Sequence, residues 1–307
     1  MLRKAVSEDI VKYGDFVYEL ALDQTRSAYP TYGDGIKTRE DFLADARSAL
    51  EEETSELLLF YRRDALEGWL TFYRIPEEHY LQCTGCNIRE RTEQALAELL
   101  TLLKADFPEY TLYFGFPACN EEAVCFLKAN GFRCIEEAWN NSFFLEEYEC
   151  PGSGETVCGG NIGDDNIGDG HIVRIGRDNY NEFRAVYQPE AEAYWNCDRI
   201  LECLEDWIIF GYRQEETPVG AVYFRGSKEY YEIYGMEFAE GKYREEVCRS
   251  LLTAALNHCK RTGAKYLTYF CDCCEEALQK AVQETGFHCV GGYVCYILEP
   301  GEGEKHF

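Results

Sequence analysis

The same order of patterned segments runs through this chain twice, and no other feature of the sequence restricts its fold as strongly. Between Glu149 and Gly170 the chain reads ECPGSGETVCGGNIGDDNIGDG, with NIGD written twice and almost nothing to bury. A linker or long exposed loop is expected there, dividing the chain into halves of nearly equal length. Each half opens with a short β-branched segment, LRKAV or HIVRIG, leading into helical pattern, clearest over Ser7 to Thr25 and Thr38 to Glu52. Thr38 followed by Asp41 predicts a helix start related to the capping box. Three segments rich in aromatic and aliphatic residues come next: LLLFYRR, GWLTFYR and HYLQCTGCNI in the first half, WIIFGYR, VGAVYFR and YYEIYGMEF in the second. Their composition favours strands.

After the strands the period changes. Ala95, Leu96, Leu99, Leu100 and Leu103 predict a helix over Thr92 to Asp106, and Val247, Leu251, Ala254 and Ala255 predict its counterpart over Tyr243 to Thr262. A strand follows (YTLYFGF; YLTYFC), then a short helix (Asn120 to Asn130; Glu275 to Thr285), then Gly-Phe and a last strand. Gly131 and Gly286 stand where a helix end accepts positive φ. The expected organisation is a module over residues 1–148, a linker over 149–170, a second module over 171–300 and a tail over 301–307.

A length of 307 residues suits two ordinary domains, and 46% hydrophobic with 15% aromatic residues supplies a core to bury. The net charge of −26 would repel a phosphate backbone, which argues against nucleic acid and favours amines or basic peptides as partners. The opening MLRKAVSEDIVKYGDF has no apolar run for a signal or membrane anchor, so a cytoplasmic protein with reduced thiols is expected. Cys125, Cys134, Cys248, Cys259, Cys289 and Cys295 sit in apolar segments and are read as packing residues. Cys83 and Cys86 form a CxxC, and Cys271, Cys273 and Cys274 a cluster, yet no histidine stands at ligand spacing. An offset of three on a strand would also point Cys83 and Cys86 to opposite faces, so no metal is expected.

The segment NEEAVCFLKANGF, with Asn120, Ala123, Gly131 and Phe132 at the motif's spacing, resembles the signature of the GNAT superfamily of acetyl-CoA-dependent N-acetyltransferases. CCEEALQKAVQETGF matches more loosely through Ala277 and Gly286-Phe287, with an extra residue between them and no Asn. The resemblance implies two tandem α/β (α+β) modules, each a mixed, mostly antiparallel sheet flanked by helices. It also implies an acyl-CoA site between the fourth and fifth strands, with the pyrophosphate at a helix N-terminus, where unpaired N–H groups and the helix dipole favour an anion.

The family's basic-x-x-Gly-x-Gly loop falls on Tyr243, Glu246 and Cys248 in the second half and on Arg91, Gln94 and Leu96 in the first, so its glycines are absent from both. The second half keeps Gly241, Lys242 and Arg244 in the turn entering the helix. Phe238, Gly241, Lys242, Tyr243, Arg244 and Asn120 are the expected acyl-CoA contacts, with the first half a degenerate copy. The family's general acid position falls on Leu127 and Val282, neither able to donate a proton; Glu232 and Glu237 are the candidate general bases. Tyr230, Tyr231, Tyr234, Tyr266 and Tyr269 crowd the two flanking strands. The expected function is acyl transfer, acetyl foremost, to a primary amine. A non-catalytic scaffold that has lost the cofactor loop, or an aminoacyl or peptidyl transferase of the same architecture, stays open.

Overall fold

The computed structural model describes residues 1–146, 148, 149, 171–187, 194–227 and 229–301, so nearly all of the expected linker and tail lies outside the described residues. The first half forms β1 (Leu2–Lys4), α1 (Ser7–Ala21), α2 (Arg39–Glu51), β2 (Ser55–Arg62), β3 (Ala65–Ile75), β4 (Tyr80–Ile88), α3 (Thr92–Asp106), β5 (Thr111–Pro117), α4 (Glu121–Ala129) and β6 (Arg133–Phe144). The second repeats that order as β7 (Ile172–Ile175), α5 (Tyr180–Val186), α6 (Cys197–Glu202), β8 (Ile208–Gln214), β9 (Thr217–Gly226), β10 (Tyr230–Phe238), α7 (Glu245–Thr262), β11 (Tyr266–Asp272), α8 (Glu276–Glu284) and β12 (His288–Leu298). The capping box at Thr38 and Asp41 starts α2 as expected, with Thr38 N donating to Asp41 Oδ2 at 2.7 Å and Asp41 N to Thr38 Oγ1 at 3.3 Å. Gly131 and Gly286 end α4 and α8 at φ of +83° and +104°.

The halves do not correspond to the compact units. One unit comprises Met1–Ala138 with Gly291–Phe307, the other Trp139–Val290, so each half gives the later part of its last strand to the other half's unit. The first unit has strand order β1-β2-β3-β4-β5-β12 and the second β6-β11-β10-β9-β8-β7. Within them β4 with β5 and β10 with β11 are parallel, while the other printed neighbours are antiparallel. The expected boundaries at 148 and 300 are therefore displaced. The physical reason is edge pairing: β5 needs a partner for its open side, and Tyr293–Leu298 supplies it antiparallel to Leu112–Pro117. Val294, Tyr296 and Leu298 then enter a core with Leu70, Phe72, Leu81 and Phe114. On the other side Leu145 N, just past β6, donates to the Lys265 carbonyl before β11 at 2.8 Å.

Helices cover both faces of each sheet. In the first unit α3 and α4 share a core with Phe60, Phe72 and Phe114, and α1 and α2 share another with Leu57, Leu59 and Trp69. In the second, α7 and α8 pack with Phe224, Ile233 and Leu267, while α5 and α6 pack with Trp207, Ile209 and Tyr223. A bulge at Thr84 corrects the reading of the CxxC: the register moves from Thr71↔Gly85 to Phe72↔Cys83, and Cys83 and Cys86 both enter the α3 core. Of the cysteines read as packing residues, Cys248, Cys259 and Cys295 are buried, but Cys125, Cys134 and Cys289 are exposed. An apolar pattern cannot tell the helix or strand face that lacks a covering layer. No helix among the described residues is long and apolar enough to cross a membrane.

Candidate functional site

In the second unit β10 and β11 are paired only from Tyr230↔Tyr266 to Ile233↔Tyr269, and past that point no register joins them. The bulge between Ile233 and Gly235 turns the end of β10 away. A cleft of about 570 Å³ opens where the strands part, bounded by Met236, Glu237 and Phe238 of β10, the turn through Gly241 and Tyr243, and Cys274 to Leu278 at the start of α8. The bulge residue Tyr234 points to the α5/α6 side, against Trp207 at 5.0 Å between ring centroids.

The N-terminus of α7 borders this cleft. Its N-cap Arg244 is extended and no side chain caps the helix, which leaves first-turn N–H groups available to an anion. Gly241, at φ +66° and with open space where a Cβ would stand, makes the tight turn before it. Lys242 and Arg244 are exposed on either side of Tyr243. Arg244 Nη1 donates to the carbonyls of Gly241 at 3.3 Å and Tyr243 at 2.6 Å, so the guanidinium lies back on its own turn. The Tyr243 ring meets Phe238 edge-on at 5.0 Å, and its hydroxyl donates to the Ala277 carbonyl at 2.9 Å, bridging to α8. Burial, with Cys248, Glu245 and Glu275 nearby, pushes this phenol up to about 12, so it stays protonated at neutral pH.

The two candidate bases stand differently. Glu232 accepts from the Tyr230 hydroxyl at 2.7 Å, and that hydroxyl in turn accepts from Thr268 at 3.2 Å. Burial raises the Glu232 carboxyl, against the pull of Tyr230 and Arg225. It lies opposite Thr268, in the paired part of the strands, before they part. Glu237 lines the cleft itself, with the Tyr223 hydroxyl 3.5 Å from its Oε1. Of the two, only Glu237 is placed at the cleft. The aromatic face beside it is partly taken by an internal cation, since the Arg225 guanidinium sits 4.9 Å from the Trp195 ring and 5.4 Å from Trp207.

In the first unit the equivalent parting is filled by the chain's own residues. Pairing of β4 with β5 ends at Cys83↔Phe114. Into the gap comes the segment from Arg26 to Tyr29: Ile88 N donates to the Arg26 carbonyl at 3.1 Å, and Tyr29 N donates to the Gly115 carbonyl at 3.2 Å. Asn120, expected as a cofactor contact, is fully buried and committed, its Nδ2 donating to the Ser27 carbonyl at 3.0 Å and its Oδ1 capping α4 through Ala123 N. The N-terminus of α3 already holds an anion, because Glu93 N donates to Glu122 Oε1 at 3.1 Å. Arg91, the N-cap, sits in the left-handed region at φ +63°. Nothing in the composition of RSAYP betrays this plug, which is defined only by what it bonds to.

The structure also corrects the alignment of the second signature. α4 and α8 are both nine residues long, with N-caps Asn120 and Glu275, so Glu275 stands in the place of Asn120 and Leu278 in that of Ala123. There is no extra residue. Leu127 and Val282 are fully buried and donate nothing, as read from sequence. Among the described residues no three His, Cys, Asp or Glu side chains come together as a metal set.

No family model matches the chain, and no curated protein does. Similar solved structures include a GCN5-related N-acetyltransferase from Sphaerobacter thermophilus, 13% identical with a TM-score of 0.60 over 98% of this chain and 95% of that one. A tandem GNAT protein from the clavulanic acid biosynthesis pathway is also 13% identical, with a TM-score of 0.50 over 98% of each chain. A Drosophila protein is 10% identical, with a TM-score of 0.55 over 97% of this chain and 98% of that one. At such identities the likeness is one of architecture, and it agrees with the twice-written element order and the parted parallel strands: the chain has the tandem GNAT fold.

Proposed function

We propose that the second unit is an acyl-CoA-dependent N-acyltransferase acting on a primary amine, and that the first unit does not transfer. The observation carrying this reading is the contrast between the two partings: the one at β10 and β11 opens onto an uncapped helix N-terminus flanked by Lys242 and Arg244, whereas its counterpart is filled by residues 26–30 and Glu122. An acyl-CoA lying in the cleft would run past Phe238 and place its pyrophosphate against the turn from Gly241 to Arg244. Glu237 would take one proton from the acceptor ammonium, the amine nitrogen would bond to the thioester carbon as the carbon–sulfur bond breaks, and the nitrogen's second proton would pass through water to the leaving thiolate. Because a CoA thiol is a good leaving group, the absence of a donor at Val282 is tolerable.

Calorimetry with acetyl-CoA tests the site. Changing Lys242 and Arg244 together to Ala should weaken binding at least tenfold, about 1.4 kcal/mol, while Arg91→Ala should leave it unchanged. Damage from Arg91→Ala alone would place the site in the first unit and overturn this assignment. Glu237→Gln should lower turnover on an amine acceptor by about 100-fold with acetyl-CoA affinity intact, and Glu232→Gln should have a much smaller effect on turnover. A second reading, a non-catalytic protein of this fold, is favoured by the bonded state of Arg244 and Tyr243 and by Glu237, Glu240, Glu275 and Glu276 around the cleft. Absence of binding at millimolar acetyl-CoA decides for it.

A further inference from the structure

The first unit holds a cavity of about 410 Å³ between α2 and the sheet, within the range of small-molecule sites. Phe42 and Trp69 stack 5.2 Å apart as one wall, and Tyr32 stands edge-on to Phe42 at 5.0 Å. The charged groups on this lining largely answer one another: Lys37 Nζ lies 2.9 Å from Asp45 Oδ2, and the Tyr32 hydroxyl donates to the same oxygen at 2.9 Å. Glu52 adds a further negative charge, so an anion is disfavoured. The strand side is polar. Thr84 donates to Thr71 at 3.3 Å, and Gly85 lets Thr71 lie close against the strand, since a Cβ there would come within 2.2 Å of Thr71 Oγ1.

Asn87 is the group this arrangement leaves unanswered. It lines the cavity, is only 5% exposed, and its side-chain carboxamide has no hydrogen-bond partner among the described residues. Its polar atoms reach solvent through the cavity, so a ligand that displaces water there must reproduce the hydrogen bonds water makes. A carboxamide offers N–H donors beside an acceptor oxygen, and the ligand group that satisfies both together is another amide edge with N–H and C=O side by side. Since the parting in this unit is plugged, the cavity is not paired with an acyl-donor site.

We propose that the first unit is a binding domain for a small uncharged molecule with a carboxamide or lactam edge, paired with Asn87 and laid against the Phe42–Trp69 wall. Nicotinamide and uracil serve as probes, with nicotinate as the anionic control of the same shape, in calorimetry on the full chain. At least one of the two probes should bind at 10 mM or below, and nicotinate should bind at least tenfold more weakly than nicotinamide. Asn87→Leu should abolish that binding with an unchanged circular dichroism spectrum, because it removes the donor and the acceptor together at similar size. Ala49→Leu, which fills the cavity from α2, should abolish it independently with an unchanged circular dichroism spectrum. The proposal is overturned if neither probe binds at 10 mM, or if either folded variant binds as the parent does.

Discussion

Glu67 is 1% exposed, yet it is charged, because Arg62 Nε and Arg89 Nε reach its two oxygens at 3.1 Å each. Burial alone would raise its pKa; the bonds from Arg89 and Arg62 outweigh that and lower it. A carboxylate with a depressed folded pKa stabilises above the unfolded value of about 4.3, and the contribution is lost as pH falls through the folded value. Glu67→Ala should cost about 2 kcal/mol in urea denaturation at pH 7, less than a fully buried network because both arginines reach water. His258 acts in a different window. Burial, helped by Arg174 and Arg261, holds it down to about 4, while the unfolded chain protonates near 6.5. Its contribution is complete above pH 6.5 and declines as pH falls towards 4, so His258→Phe should flatten the stability profile of the second unit between those values. Some residue-level features were legible in advance: Thr38 and Asp41 announce their cap by spacing alone. The shared face of Cys83 and Cys86 was not, since one inserted residue at Thr84 reverses the parity on which strand faces are read.

Helices and strands were legible in order and type because their periods are local properties. Partnership between strands is not local. β6 and β12 carry matching segments in matching places, and no pattern in either says which sheet it joins; the contacts of Val294, Tyr296 and Leu298 decide it. Likewise the segment from Arg26 to Tyr29 acts through backbone groups bonded to Ile88 and Gly115, which any sequence could present. The cleft in the second unit was half legible: Gly241, Lys242 and Arg244 were placed at the helix start, whereas the bonded state of Arg244 depends on backbone geometry. The strand exchange makes a direct prediction. A chain of residues 1–148 leaves the edge of β5 open and should fail to unfold cooperatively, tending instead to aggregate. Adding a peptide of residues 288–301 should restore a cooperative transition, and no restoration would mean that β5 tolerates its open edge.

At the scale of the molecule, the net charge of −26 acts on stability as well as on partners. Self-repulsion of a folded chain is screened over about 10 Å at 0.1 M ionic strength, so raising sodium chloride from 10 to 300 mM should raise the unfolding temperature. A flat or falling response would show that the local pairs around Glu67 and elsewhere outweigh the excess. The exchanged strand also gives the chain an order in time. Synthesis runs from the amino terminus, so β5 leaves the ribosome roughly 180 residues before β12, an interval of about 10 to 40 seconds at 5–20 residues per second. For that interval the first unit has every element except the one that closes its sheet. Whatever protects an unpaired strand in the cell must therefore act on this protein before its second unit is finished, and a slowed ribosome prolongs the exposure.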